Sequence, residues 1–495
     1  MKPFDIIIIG AGVIGASIAR YLSRYNFSIL LIDKESDVGM GTSSANSALV
    51  HAGYDAVAGT LKAKMNVAAS PLWDDFAGEL HIPFKRCGDF VVAIGDKEAQ
   101  KLDALLERGQ KNGVPGLRIV PRDELIQHEP LINPAATAAL WAPTGGICDP
   151  FAATLAAAEN AVQNGVKLLL NTRFEDFIME QDRVIGIVTN HGEFRANWVI
   201  NAAGLFADSV MHKVGVRPEF KITPRKGEYF IIDRMELALN TVLFPVPSEI
   251  SKGILVTATM HENTLIGPNA QNQLDKSDKE VTHDGMDEVW HGAQKLIPSL
   301  NKRHVIATYA GLRAGGNAST PDPSVDYHND FVIEIPAEVK GFVNLGGIES
   351  PGLTSAPAIA LYVIDLLKDH GVKFEERADW NPIRQSRPKF GHLSTKEQKA
   401  LIEKDPRYGR IICRCEMITE GEIVAEIHGP IPAVNYDAIK RRTWLGTGRC
   451  QGGFDMPLVT EILARELNLA PTQISKKGEG SEFLYRRTKQ VEDPA

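Results

Sequence analysis

Asp5-Ile-Ile-Ile-Ile-Gly10-Ala-Gly12-Val-Ile-Gly15 decides how the chain is read. The β-branched run reads as a buried strand ending in Gly10-x-Gly12-x-x-Gly15. Ala16 to Leu22 then read as helix, and a second apolar strand, Phe27 to Ile32, closes on Asp33. This is the βαβ dinucleotide fingerprint. Gly10 permits the tight turn, Gly12 lets backbone approach a pyrophosphate, and Gly15 lets helix and strand pack closely. The pyrophosphate would sit on the positive end of the helix, and Asp33 would accept bonds from a ribose hydroxyl. A glycine-rich turn alone would be weak ground. Strand, helix, second strand and acid together point to a bound dinucleotide.

The 495 residues, 44% hydrophobic and 23% charged, match a soluble globular protein of roughly two to four domains. A formal net charge of −8 gives no nucleic-acid footprint. No apolar run approaches the roughly 18 residues of a membrane span, and the N-terminal Ile run lacks the basic leader of a signal peptide. Five cysteines are too few and too unevenly spread for a disulfide framework, so a reducing, cytoplasmic setting is expected. Cys413, Cys415 and Cys450 cluster near the C-terminal end; Cys87 and Cys148 lie elsewhere.

The periodicity predicts an α/β (α+β) chain. A Gly/Ser/Thr/Asn-rich loop, Gly39 to Asp55, carries His51 and can wrap a cofactor. Helices are expected at Leu61 to Leu80, Lys97 to Asn112, Phe151 to Gly165, near Asp287 to Leu296, and Ala356 to His370. Strands are expected at Cys87 to Ala93, Val166 to Leu170, Val184 to Thr189, Trp198 to Asn201, Gly227 to Ile232, Gly253 to Thr257 and Phe342 to Ile348. Thr354 or Ser355 can cap the Ala356 helix, with Pro357 in its first turn. Arg313 reads as part of a glycine-flanked turn, Ala310 to Gly316. Ser394/Glu397 and Thr419/Glu422 have capping-box spacing. The expected organisation is a discontinuous Rossmann-like dinucleotide domain (1–85, 145–215, 331–372) and a mixed-sheet substrate domain (86–144, 216–330). A linker (373–407), a small, mainly helical cysteine domain (408–470) and a frayed polar tail (471–495) follow.

Thr42-Ser-Ser-Ala-Asn-Ser-Ala-Leu-Val-His-Ala-Gly-Tyr-Asp55, Asn201-Ala-Ala-Gly204 and Gly346-Gly-Ile-Glu-Ser-Pro-Gly-Leu-Thr354 resemble the FAD-dependent glycerol-3-phosphate dehydrogenases and oxidases, of the D-amino-acid-oxidase-like superfamily. The closest resemblance is to the type with a C-terminal ferredoxin-like [2Fe–2S] domain. The resemblance implies FAD at the Gly10 site, with Asp33 on the adenosine ribose, Thr42 and Ser43 by the pyrophosphate, and Phe174 and Gly204 in the cofactor site. Ser47, Ala48 and Leu49 would lie along the flavin, and Ile348, Glu349 and Thr354 would close over its ring. Relatives oxidising L-2-hydroxyglutarate share much of the pattern, so oxidation of an L-2-hydroxy acid stays open beside oxidation of sn-glycerol 3-phosphate. A flavin/iron–sulfur electron-transfer subunit is the reading of another class.

Oxidising a secondary alcohol needs a base near neutral pH and a cationic anchor for the anionic end. His51 suits the first task. Arg313 and Lys252 match the family's anion-binding residues, and Ser47 and Ser350 its remaining substrate contacts. Lys226 is a further basic candidate left outside the set. Cys450 follows Cys415 by 35 positions, and Asp455 stands where the related ferredoxin-like domains carry a fourth cysteine. Three readings of Cys413, Cys415, Cys450 and Asp455 stay open: an aspartate-ligated [2Fe–2S] cluster, a cluster-free module, or a zinc site. The electron acceptor (quinone, oxygen or a partner subunit) and a peripheral membrane contact are left open.

Overall fold

The structure, a computed structural model, describes residues 2–215, 220–247, 253–318 and 330–486. It separates into two compact units, residues 1–34 with 38–384 and residues 35–37 with 385–495. No described helix is long and apolar enough to cross a membrane.

In the first unit β1 (Phe4–Ile9), α1 (Val13–Leu22) and β2 (Ile29–Ile32) form the fingerprint. β1 pairs in parallel with β2 on one side and with Gly192–Asn201 on the other. A strand covered on both faces has no solvent side, which is why Ile6 to Ile9 is an unbroken apolar run with at most 5% exposure. Burying each such side chain contributes about 1.5–3 kcal/mol. Among the described residues this sheet has eight strands. It gathers Lys167–Leu169 beside β2, the meander Phe174–Glu180, Arg183–Thr189 and Gly192–Asn201, then Phe342–Gly346 with Val332–Glu334.

A second sheet, of nine described strands, is drawn from Asp89–Ile94, Arg118–Pro121, Ala136–Ala142 and the strands between Phe220 and Ala318. Its longest partners, Phe220–Ile232 and Val305–Ala318, run antiparallel along nearly their whole length. This corrects the reading of Ala310 to Gly316 as a turn. The glycines there serve close approach instead: a Cβ on Gly311 would lie 2.1 Å from the Ala45 carbonyl oxygen.

β3 (Leu49–Val50) pairs with Gly146–Cys148 in a small third sheet, and α2 (Leu61–Leu80) packs on the helix Gly352–Asp369. That helix starts earlier than expected. Pro351 occupies its N-cap, no side chain caps it, and Thr354 and Ser355 lie inside the first turn. Their hydroxyls therefore do not serve as the expected cap.

The second unit has a small core of Ile412, Ile423, Ile427, Ile439, Val459 and Leu463, each at most 4% exposed. A strand pair, Ile411–Cys413 with Ile418–Thr419, leads into helices Glu420–Ile427, Tyr436–Thr443 and Met456–Leu467. Both capping boxes form, Thr419 with Glu422 and Ser394 with Glu397. Within the expected linker, residues from Gln385 onward belong to this unit, where Phe390 is buried and its N–H donates to Glu422 Oε1 at 3.1 Å. Within the expected tail, Phe483 packs edge-on to Tyr436 with ring centroids 5.6 Å apart. Residues 487–495 lie outside the described residues.

Asp37 belongs to this second unit and accepts bonds from Arg442 Nη1 (2.7 Å), Arg442 Nη2 (2.8 Å) and Arg441 Nη2 (2.7 Å). Burial alone would raise its pKa; the two guanidinium groups outweigh burial and hold it down to about 2. A depressed carboxylate stabilises the fold above its unfolded pKa of about 3.9, and that contribution is lost as pH falls through the folded value. Asp37→Asn is expected to lower stability by about 2 kcal/mol near neutral pH. In urea titrations the gap to wild type should close between about pH 4 and pH 2. A gap independent of pH would rule out the ionised pair.

Candidate active site

The fingerprint turn is shaped for a close ligand. Gly10 has φ of +105°, and a Cβ there would lie 2.5 Å from the Ala202 carbonyl oxygen. Ala202 N–H donates to Ile9 O at 2.9 Å, so the strand end Asn201-Ala-Ala-Gly204 runs against the turn. At Gly15 a Cβ would lie 1.9 Å from the Gly10 carbonyl oxygen, which leaves no residue but glycine. Gly12 is the N-cap of α1, and it brings no side-chain cap. Ser43 Oγ accepts the Val13 N–H at 3.0 Å, drawing the Thr42–Ser44 turn up to the helix start. The positive helix end suits a pyrophosphate. Asp33, just past β2, accepts the Ala11 N–H at 2.7 Å, and a carboxylate has further acceptor capacity for ribose hydroxyls. Thr172 N–H donates to the Asp33 carbonyl at 2.8 Å, which sets the chain leading into Phe174 at the same sheet end. These residues fit a dinucleotide such as FAD.

The loop after Ser43 is folded by Asn46, whose Nδ2 donates to Ser43 O (3.0 Å) and whose Oδ1 accepts Ala48 N–H (2.8 Å). Ala48 adopts φ of +59°. Two tyrosines brace this turn from the second sheet. Tyr309 donates to Asn46 O at 2.8 Å, Tyr229 Oη lies 3.4 Å from Ser47 Oγ, and the two rings stack with centroids 4.6 Å apart. Burial raises both phenol pKa values above the ordinary range, so both stay neutral. Leu49 follows, buried, in β3.

His51 follows β3 and is held from several sides. Its N–H donates to Thr354 Oγ1 at 2.9 Å, and its carbonyl accepts Asn66 Nδ2 at 3.0 Å. Ser350 Oγ lies 3.4 Å from the ring Nε2, just before the helix Gly352–Asp369. Thr354 Oγ1 also donates to Leu49 O at 3.2 Å, and Trp73 Nε1 donates to Thr354 O at 2.8 Å. The Thr354 hydroxyl is thus spent within the protein, and what it offers a ligand is backbone at an uncapped helix start. Beside His51 a cleft is lined by Tyr54, Asp55, Asn66, Phe244 and Pro351.

Opposite charges meet around the same loop. Lys62 Nζ and Glu349 Oε1 are 3.0 Å apart, both side chains 10% exposed. A Cβ on Gly315 would stand 3.3 Å from Glu349 Oε2, so this carboxylate lies over the strand that carries Arg313. Arg313 is half-buried, and its Nε and Nη2 donate to the carbonyls of Arg225 (3.3 Å), Lys226 (3.2 Å) and Asn269 (2.6 Å). Burial lowers its pKa, while Tyr229 and Glu349 oppose that shift. Backbone carbonyls fix the fork without neutralising it, which leaves its charge for an anionic ligand. Lys226 is engaged by Asp278 (3.3 Å) and the Glu280 carbonyl (3.0 Å). Lys252 lies outside the described residues. Ile348 is half-buried at the strand end before Glu349.

Lys62, Tyr229 and Tyr309 are contributors that sequence reading missed. For Lys62 a signal existed: it shares the helical face of Asn66, Ala69 and Trp73, an unusual place for lysine. The tyrosines sit opposite each other in two strands far apart in the chain, and nothing local announces that pairing.

In the second unit Cys415 Sγ and Cys450 Sγ lie 3.7 Å apart, and Cys413 is buried at the end of its strand. Tyr436 donates to Asp455 Oδ1 at 2.7 Å. Burial raises the Cys413 thiol to about 11; N–H groups of Gly446 and Glu416 oppose that, and the neighbouring Asp455 carboxylate adds to it. Among the described residues no three His, Cys, Asp or Glu side chains converge on one point as for a single ion. The donors meet as two pairs, Cys415 with Cys450 and Cys413 with Asp455. Two donors per iron is what a binuclear cluster requires.

Two family models match the chain. Residues 5–366 match the family of FAD dependent oxidoreductases, and residues 411–465 match the BFD-like [2Fe-2S] binding domain. A glycerol 3-phosphate dehydrogenase of Caloramator mitchellensis is 46% identical, covering 98% of this chain and 99% of its own. A glycerol 3-phosphate oxidase of Mycoplasma genitalium is 33% identical over 77% of this chain and 98% of its own. The dithionite-reduced L-alpha-glycerophosphate oxidase of Mycoplasma pneumoniae, solved with FAD bound, superposes with a TM-score of 0.72 at 30% identity, covering 78% of this chain and 100% of that one. The fingerprint cradle, the His51 loop and these matches together establish that the chain belongs to the FAD dependent oxidoreductase family and carries a BFD-like [2Fe-2S] binding domain toward its C-terminal end.

Proposed function

We propose that the protein oxidises sn-glycerol 3-phosphate to dihydroxyacetone phosphate. The observation that carries this reading is the imidazole of His51, held beside Ser350 at the uncapped start of the helix Gly352–Asp369. The relatives above, named for glycerol 3-phosphate, support the choice of substrate. Bound FAD supplies a two-electron acceptor for the substrate's hydride. In the proposed site His51 Nε2 takes the proton of the reacting hydroxyl, and Ser350 orients that group. Arg313, with Lys252, holds the phosphate, and Ser47 completes the substrate contacts. Gly10, Gly12, Gly15, Asp33, Thr42, Ser43, Phe174 and Gly204 hold the dinucleotide end. Ala48, Leu49, Ile348, Glu349 and Thr354 surround the flavin end, where the helix start favours negative charge. Cys413, Cys415, Cys450 and Asp455 are the proposed cluster ligands.

Anaerobic addition of glycerol 3-phosphate should bleach the flavin absorbance faster than L-2-hydroxyglutarate does. The reverse preference would reassign the substrate to an L-2-hydroxy acid. Bleaching by neither, in a fully loaded protein, would favour an electron-transfer subunit.

His51→Ala is expected to cut turnover by about 10²–10⁴ while FAD stays bound. Wild-type turnover in that variant would remove His51 from the mechanism. Arg313→Ala is expected to raise KM for glycerol 3-phosphate at least ~30-fold, the lower bound for truncating one side of a buried charge pair. An equal loss with a phosphate-free alcohol would place the anchor elsewhere.

A further inference from the structure

The cysteine-bearing unit contains a polar device that alcohol oxidation does not use. Tyr436, 3% exposed, donates to Oδ1 of Asp455, itself 1% exposed. The other oxygen, Oδ2, is buried and has no hydrogen-bond partner among the described residues. A buried carboxylate oxygen is costly to leave in that state unless a cation meets it.

The surroundings of the phenol are built for this bond. A Cβ at Gly446 or at Gly452 would lie 2.4 Å from the Tyr436 hydroxyl oxygen, and both glycines have positive φ, +73° and +85°. A side chain at either position would push the phenol off the carboxylate. Phe483 holds the ring edge-to-face. The thiols complete the site: Cys415 and Cys450 approach to 3.7 Å, and Asp455 neighbours Cys413.

We propose that Asp455 is the fourth protein ligand of a [2Fe–2S] cluster, binding iron through Oδ2, and that Tyr436 is the positioning residue that fixes it. The inference rests on the cluster reading of this unit. The phenol occupies Oδ1, so the carboxylate binds through one oxygen only. Cys415 with Cys450, and Cys413 with Asp455, supply two protein donors to each iron. A hydrogen bond to a ligand withdraws charge from the iron and raises the cluster's potential.

The test uses the full chain purified without oxygen. Its readouts are iron and acid-labile sulfide content, visible and EPR spectra, and an EPR-monitored redox titration. Wild type is expected to hold a cluster. Asp455→Cys should keep it and move its spectra to those of a four-thiolate centre, and Asp455→Ala should lose most of its iron. Tyr436→Phe should retain iron with shifted g-values and a lower midpoint potential. Asp455→Cys carries the ligand test if Asp455→Ala does not fold. Wild-type spectra in Asp455→Cys would overturn the ligand assignment, and a wild-type potential and spectrum in Tyr436→Phe would overturn the positioning role. Wild type lacking iron and sulfide, or holding zinc, would sink the cluster reading itself.

Discussion

A single buried hydroxyl organises the reactive end of the first unit. Thr354 Oγ1 donates to Leu49 O and accepts the His51 N–H, while the Thr354 carbonyl accepts Trp73 of α2. Three segments far apart in sequence are pinned within a few ångströms: β3 with the histidine after it, the helix Gly352–Asp369, and α2. At so buried a site, each bond lost would leave an unsatisfied backbone group, at about 1–3 kcal/mol apiece. The helix start carries no side-chain cap, and its Gly352 N–H is taken by the Glu349 carbonyl. The price of that arrangement is that threonine itself offers the ligand only backbone.

Charge is distributed around the site by a similar division of labour. Glu349 is met by Lys62 from α2, and Arg313 is held by three backbone carbonyls rather than by an acid. A carboxylate partner would have satisfied the guanidinium and cancelled its charge. Carbonyl dipoles orient it and leave the charge for an anion. The Tyr229–Tyr309 stack, kept neutral by burial, supports the opposite wall through Ser47 and Asn46.

The second unit repeats the theme of a carboxylate set by its neighbours. Asp37 has both oxygens taken by guanidinium groups and is pulled well below the ordinary range. Asp455 has one oxygen taken by a phenol and the other left bare. Both are buried and ionisable, and the difference between them is the supply of donors. The first is a structural ion pair; the second has the surroundings of a ligand.

Much was legible in the sequence because its signals are short-ranged. The Ile run, the three glycines and Asp33 specify β1, α1 and β2 through sterics within a few residues, and the Thr419/Glu422 and Ser394/Glu397 caps are satisfied within one helical turn. The His51 loop and the cysteine spacing were visible for the same reason. Ala310 to Gly316 looks like a turn locally; it is a strand because Phe220–Ile232 pairs with it and Ala45 needs room above Gly311. Lys62 with Glu349, Tyr229 with Tyr309, and Tyr436 with Asp455 are likewise pairings between residues that only folding brings together. Local chemistry determined the elements and the cofactor's anchor. The tertiary structure decided which polar groups are buried together, because the low dielectric that makes those partnerships obligatory exists only once the chain has closed around them.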